Sequence, residues 1–200
     1  MSEHGTSTGV AVEVVTDQRF AVDVATLAAA TFPLACPAHS RPQDIAAFIE
    51  RNLSPPNFER HIAAPESDVL LARKMSDGTP VGYALVHHRE PTDPDVDALI
   101  TARPSSEVSK MYVLPAHHAQ GCTRPPSRLL MDYAIGRARK RGAALLWLGV
   151  NQENVRAQRF YAKMGFTRAG VKTFDLNGNL EHDFVMVRST ATATPASPAM

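Results

Sequence analysis

Asn151, Asn154 and Tyr161 bring ligand-binding and proton-donating side chains into one stretch, Gly149–Phe166 (GVNQENVRAQRFYAKMGF). An apolar run, Ala144–Val150, leads into it and reads as a buried strand. A polar break carries the two asparagines, and then Val155, Phe160 and Met164 recur at roughly helical spacing. Gly165 stops that helix, which leaves Tyr161 about two turns inside it. On pattern alone the simpler reading is an ordinary strand–helix unit whose tyrosine packs. Other chemistry-bearing residues are dispersed. His87–His88 and His117–His118 are adjacent pairs whose members point to opposite faces of a strand, so no metal site is expected. Cys36 and Cys122 are far apart, which fits reduced thiols rather than a disulfide framework. Glu90, Asp93, Asp95 and Asp97 concentrate negative charge in one loop.

The elements that must position these residues follow in order. Residues 1–9 are small and polar and are expected to be flexible. Val10–Val15 reads as a strand. Phe20–Thr31 reads as a helix ended by Phe32-Pro33, and a second helix is announced by Pro42 and Asp44 and broken by Pro55-Pro56. A short turn or helix follows at Phe58–Ala63. Val69–Lys74 and Val81–His88 form a hairpin around an Asp-Gly turn. Arg89–Pro104 reads as a polar loop, Glu107–Leu114 as a strand and Arg128–Gly142 as a helix. A second hairpin, Val171–Leu176 with Leu180–Val187, follows the opening stretch, and residues 189–200 read as a disordered tail. This order predicts a mixed α/β sheet with helices on both faces, formed by a single domain over residues 10–188.

The 200-residue length and 44% hydrophobic content suit one globular core. The formal net charge of +1 gives no reason to expect nucleic acid as a partner. No apolar run approaches the roughly 18 residues of a membrane span, and no signal-peptide pattern opens the chain. A soluble, cytoplasmic protein with no membrane partner is expected.

Taken together, MYVLPAHHAQG ahead of a helix, the LGV strand, Asn154 and FYAKMGF resemble the GNAT superfamily of acetyl-CoA-dependent N-acetyltransferases. FPLACP, SEVSKMYV and LWLGV further resemble its spermine/spermidine (PaiA-like) branch. The resemblance implies a mostly antiparallel twisted sheet in which the strand around Met111, Tyr112 and Val113 splays from Ala144–Val150. It implies that the pantetheine arm of acetyl-CoA bonds to backbone in that gap. It further implies that His118, Ala119, Gln120, Gly121, Cys122, Thr123 and Arg124 cradle the pyrophosphate, and that Asn154 contacts the cofactor. Tyr161 would protonate the departing thiolate as general acid, and Glu107 would take the amine's proton. The implied acceptor is a primary amine of a small cationic molecule, a polyamine first, with Asp93, Asp95, Asp97 and His39 as acceptor-side candidates. The alternatives are a protein N-terminal or lysine acetyltransferase, or a non-catalytic CoA-binding module. A homodimer through the C-terminal hairpin is also compatible with the resemblance. The sequence departs from the family pattern at Arg124–Ser127 (RPPS), where Pro125 and Pro126 have no N–H to donate. Pro126 at the first helical position, with Arg124 and Arg128 supplying charge, would accommodate that departure.

Overall fold

The Asp-Gly hairpin forms the scaffold of the sheet: β2 (Ser67–Lys74) and β3 (Pro80–His87) pair antiparallel, and Gly78 at φ 72 supplies the left-handed turn residue. The computed structural model describes residues 9–118, 124–176 and 178–191. Around this hairpin lie β1 (Val10–Val15), β4 (Ser105–Val113), β5 (Leu145–Asn151), β6 (Thr167–Leu176) and β7 (Asn179–Ser189). The strands stand in the order β1-β2-β3-β4-β5-β7-β6. Every neighbouring pair is antiparallel except β4 and β5, which run parallel.

Helices cover both faces. α1 (Ala21–Thr31), α2 (Pro42–Asn52) and α3 (Pro55–Ala63) sit on one face, where Val24, Leu27, Phe32 and Phe58 pack on Leu71, Tyr83 and Leu85. The opposite face carries α5 (Pro126–Lys140) and α6 (Val155–Lys163). There Leu130, Met131, Ala134 and Ile135 meet Leu70, Ala84 and Val86. Each large apolar side chain so buried contributes about 1.5–3 kcal/mol. The interleaving follows strand alternation: successive residues of β2 and β3 serve the two cores in turn.

Several boundaries differ from the sequence reading. Pro55-Pro56 opens α3 instead of merely ending α2, because the missing proline N–H groups fall in a first turn whose donors have no helical partner. The Arg89–Pro104 loop contains a short helix, α4 (Pro94–Asp97), whose Val96 packs with Ile100, Leu145 and Trp147. Pro126 occupies the first turn of α5, as the departure from the family pattern required. Ser189 belongs to β7, and Thr190 accepts a 2.9 Å hydrogen bond on its carbonyl from Arg139 Nε, so this part of the expected tail is held. Residues 1–8 and 192–200 of the two expected flexible ends lie outside the described residues.

β4 and β5 pair only at Ser105, Ser106 and Glu107, opposite Leu145, Leu146 and Trp147. Beyond those residues each strand is held by its outer neighbour alone, β4 by β3 and β5 by β7. A β-bulge marks the point of divergence: Leu85 faces Lys110 and Val86 faces Val108, which leaves Ser109 as the extra residue. A bulge bends its strand. Here the bend begins just after the last residue paired to β5, and the two strands splay.

Candidate active site

A cleft of about 920 Å³ passes through the sheet at the splay. Its two edges are strand backbone with no facing strand among the described residues, and such groups seek hydrogen bonds. On the α5–α6 side the lining includes Ser127, Asn154, Ala157, Phe160 and Tyr161; on the other it includes Phe32, Cys36, Glu107, Lys110, Lys172, Glu181 and Asp183. Met111, Tyr112, Val113 and His118 line the wall between them.

Tyr161 is positioned by caps at both ends of α6. Asn154 is the N-cap, its Oδ1 accepting from Ala157 N at 3.1 Å. Gly165 at φ 84 closes the other end, with Phe166 N donating to Tyr161 O and Gly165 N to Ala162 O, both at 3.0 Å. The Phe166 ring then packs on Tyr161 at 6.0 Å between centroids, so the MGF string fixes the turn that carries the tyrosine. Among the described residues the phenol has no hydrogen-bond partner. Burial pushes it up to about 12, with Asp183's charge adding, so it stays a proton donor at neutral pH.

Glu107 lies at the closed end of the splay. Burial raises its carboxyl above the ordinary glutamate range, although Lys172, Lys110 and Arg89 oppose this, and a raised carboxylate is a better proton acceptor. Tyr112 also faces this side, its phenol raised by burial and then by Tyr161, Cys36 and Asp183. His118 Nε2 donates to the Val113 carbonyl oxygen at 2.9 Å, which ties this side chain to the end of β4. Cys36 is pushed up to about 11 by burial and then by Glu181, and it remains a thiol.

Some expected residues lie elsewhere. Asp93 caps α4 by accepting from Asp95 N at 2.9 Å, and Asp97 pairs with Arg103 at 2.6 Å. Packing of Val96 turns this loop onto the sheet, so neither these two nor Asp95 lines the cleft. His39 reaches only the rim, 2.9 Å from Glu181. Arg124 is exposed and outside the lining. Ala119, Gln120, Gly121, Cys122 and Thr123 lie outside the described residues. His87 and His88 are also absent from the lining; they bond Ser67 and Asp68 respectively.

Lys110, Lys172, Glu181 and Asp183 were missed by sequence reasoning. Glu107 and Lys110 would point to opposite faces of a regular strand, and the Ser109 bulge puts both on the acceptor side. Lys172 and Asp183 are cross-strand partners on the last hairpin. Alternation in that hairpin could have found them, since charged residues repeat there on what becomes an inner face.

The site residues fit coenzyme A. Strand edges with no facing strand suit an extended amide-bearing arm, and the first turn of α5, with Ser127 in the lining, offers the Ser127 N–H and a positive helix end for phosphate. Known proteins agree. The profile of the Acetyltransferase (GNAT) family matches residues 30–166. An uncharacterised N-acetyltransferase of Mycobacterium tuberculosis (strain ATCC 25618 / H37Rv) is 43% identical over 166 residues, covering 83% of this chain and 95% of the relative. Among solved structures, the PaiA N-acetyltransferase of Thermoplasma acidophilum in complex with coenzyme A shares the fold at TM-score 0.64 and 17% identity, over 90% of this chain and 99% of that one. A Salmonella typhimurium protein solved with acetyl-CoA does so at TM-score 0.62 and 16% identity, over 96% and 99%. With that profile matching most of the sequence and a relative 43% identical, the chain belongs to the GNAT family and is an N-acetyltransferase with acetyl-CoA as its acetyl donor.

Proposed function

We propose direct transfer of the acetyl group to the primary amine of a small molecule, with both substrates in the cleft at once. Acetyl-CoA supplies an activated thioester. The amine arrives as an ammonium ion, and Glu107 takes its proton so that the nitrogen lone pair can form the new C–N bond. Tyr161 gives its proton to the sulfur as the C–S bond breaks and regains one from the nitrogen of the new amide; the proton on Glu107 passes to solvent, so the net reaction releases one proton. Asn154 fixes the start of α6 and faces the donor. Among the described residues Cys36 is the one thiol in the cleft, and as a neutral thiol it is a poor nucleophile, which favours direct transfer over an acetylated enzyme. The observation carrying the proposal is the Tyr161 phenol, held protonated at the splay and facing carboxylates on the other side.

A polyamine acceptor is the second reading. What favours it is the set Glu107, Glu181 and Asp183 in the cleft; Asp93, Asp95 and Asp97 lend it no support because they face elsewhere. The test is release of CoA from acetyl-CoA by the purified protein over a panel of primary amines, with the acetylated amine identified by mass. Equal amounts of CoA and N-acetyl product are expected. CoA release without an acetylated amine would reduce the protein to a thioesterase, and no release would favour a non-catalytic module.

A further inference from the structure

The acceptor side of the cleft holds charges of both signs that do not neutralise each other. Glu181 is engaged by His39, but Glu107, Lys110, Lys172 and Asp183 face one another. Among the described residues no carboxylate oxygen lies within 4.0 Å of either lysine nitrogen. Among the described residues Lys110 Nζ donates only to its neighbour Ser109, to the carbonyl at 3.2 Å and the hydroxyl at 3.5 Å, and Lys172 Nζ stands 5.6 Å from the centroid of the Trp147 ring. Lys172 and Asp183 instead reach toward the same point above Gly149. A Cβ added there would lie 2.5 Å from Lys172 Cε, 3.2 Å from its Nζ and 3.1 Å from Asp183 Oδ2. Glycine at 149 therefore gives the Lys172 chain room to lie across β5 beside Asp183.

Charges drawn partly out of water without ion pairs are costly, and an ordinary core removes them or pairs them. Burial pushes Lys110 down and Asp183 and Glu107 up. Arg89 adds to the positive field felt by Glu107. A polycation would meet two lysines, and a simple monoamine would leave both unpaired. A molecule with one ammonium and one anionic group matches all four side chains.

Resting on the acetyl-transfer reading, we infer that the acceptor is a compact primary amine that also carries a carboxylate or phosphonate, the anion held by Lys110 and Lys172 and the ammonium by Asp183 and Glu107. Lys110 and Lys172 are then specificity-determining residues, and Gly149 matters because only a residue without a side chain lets Lys172 lie in the cleft beside Asp183.

The experiment compares kcat/KM, by CoA release, for a panel of L-amino acids and 2-aminoethylphosphonate, each beside the matching amine without its anion, and for spermidine. A preference of at least tenfold for anionic acceptors is expected, and the carboxylate and phosphonate arms identify which anion fits. Lys110→Met and Lys172→Met should each raise KM for the anionic acceptor about tenfold or more. The same changes should leave KM for acetyl-CoA unaltered and improve turnover of spermidine. Melting temperatures that hold or rise in these variants show that the loss is one of recognition, not folding. Better turnover of spermidine or of the matching amines by the unaltered protein overturns this inference and leaves acetyl transfer standing. So do lysine variants with unchanged acceptor KM. No turnover of any amine, simple ones included, overturns the acetyl-transfer reading and this inference with it.

Discussion

Two groups of buried charge occupy the same sheet, and they differ in whether the charges are matched. Behind β2 and β3, Asp68 accepts from Arg137 Nε at 2.6 Å and Nη2 at 3.0 Å, and sits 2.8 Å from His88 Nε2; His88 in turn bonds Ser106. Both oxygens of that carboxylate are used, it lies outside the lining of the splay cleft, and its product is the docking of α5 on the sheet. At the splay, Glu107, Lys110, Lys172 and Asp183 line the cleft, half-buried and, among the described residues, without ion pairs. The difference separates a group that stabilises the fold from one whose partners arrive with the substrate. It also explains why a serine–histidine–aspartate string such as Ser106–His88–Asp68 is structural here, since Ser106 is fully buried and has no substrate path.

Substitutions can break this comparison, beginning with the largest expected effect. Tyr161→Phe should lower kcat about 10³-fold, within the range for a lost general acid. Its melting temperature should barely move, because among the described residues the phenol oxygen has no protein partner. Glu107→Gln should lower kcat about 10²-fold. In the unaltered protein kcat/KM should fall on the acid side along a limb above the ordinary glutamate pKa of about 4.3, because burial raises Glu107 and Asp183. The variant leaves Asp183 alone to set that limb, which a pH–rate profile would register.

On the paired side, Asp68→Asn should cost about 3 kcal/mol of stability by stranding Arg137. That corresponds to roughly 10 °C in melting temperature for a chain of this size, with KM values unchanged in the folded fraction. Burial by itself would raise the Asp68 carboxyl, but the hydrogen bonds from His88 and Arg137 outweigh it and hold it below the usual range. Its contribution is therefore complete above the unfolded aspartate value near ~3.9 and is lost as pH falls through that value toward the folded pKa. The variant's stability curve should lack that acid slope. Smallest is Gly149→Ala: its Cβ meets the movable ends of Lys172 and Asp183, so acceptor KM should rise a few fold (~3-fold, about 0.7 kcal/mol) while melting stays nearly constant.

The architecture was largely legible because it is written in local signals. Asp77-Gly78 specifies a hairpin, Gly142 and Gly165 end helices at positive φ, and apolar periodicity marks α5 and β5. The donor half of the site was legible for the same reason, since Asn154, Tyr161 and Gly165 are neighbours in one capped helix. The acceptor half was not. It is assembled from residues far apart in the chain, and its register depends on the Ser109 bulge, which no residue in EVSKMYV announces. The Asp93–Asp97 set misled because charge in a loop says nothing about which way the loop folds; Val96 decided that by packing against Leu145 and Trp147.

The central claim is that donor and acceptor meet through the gap between β4 and β5, so that the acetyl group moves directly from one to the other. Initial rates measured over a matrix of acetyl-CoA and acceptor concentrations test this most directly. The structure predicts double-reciprocal lines that intersect, as a ternary complex requires. Parallel lines, with acetyl recovered on the protein in the absence of acceptor, would contradict it.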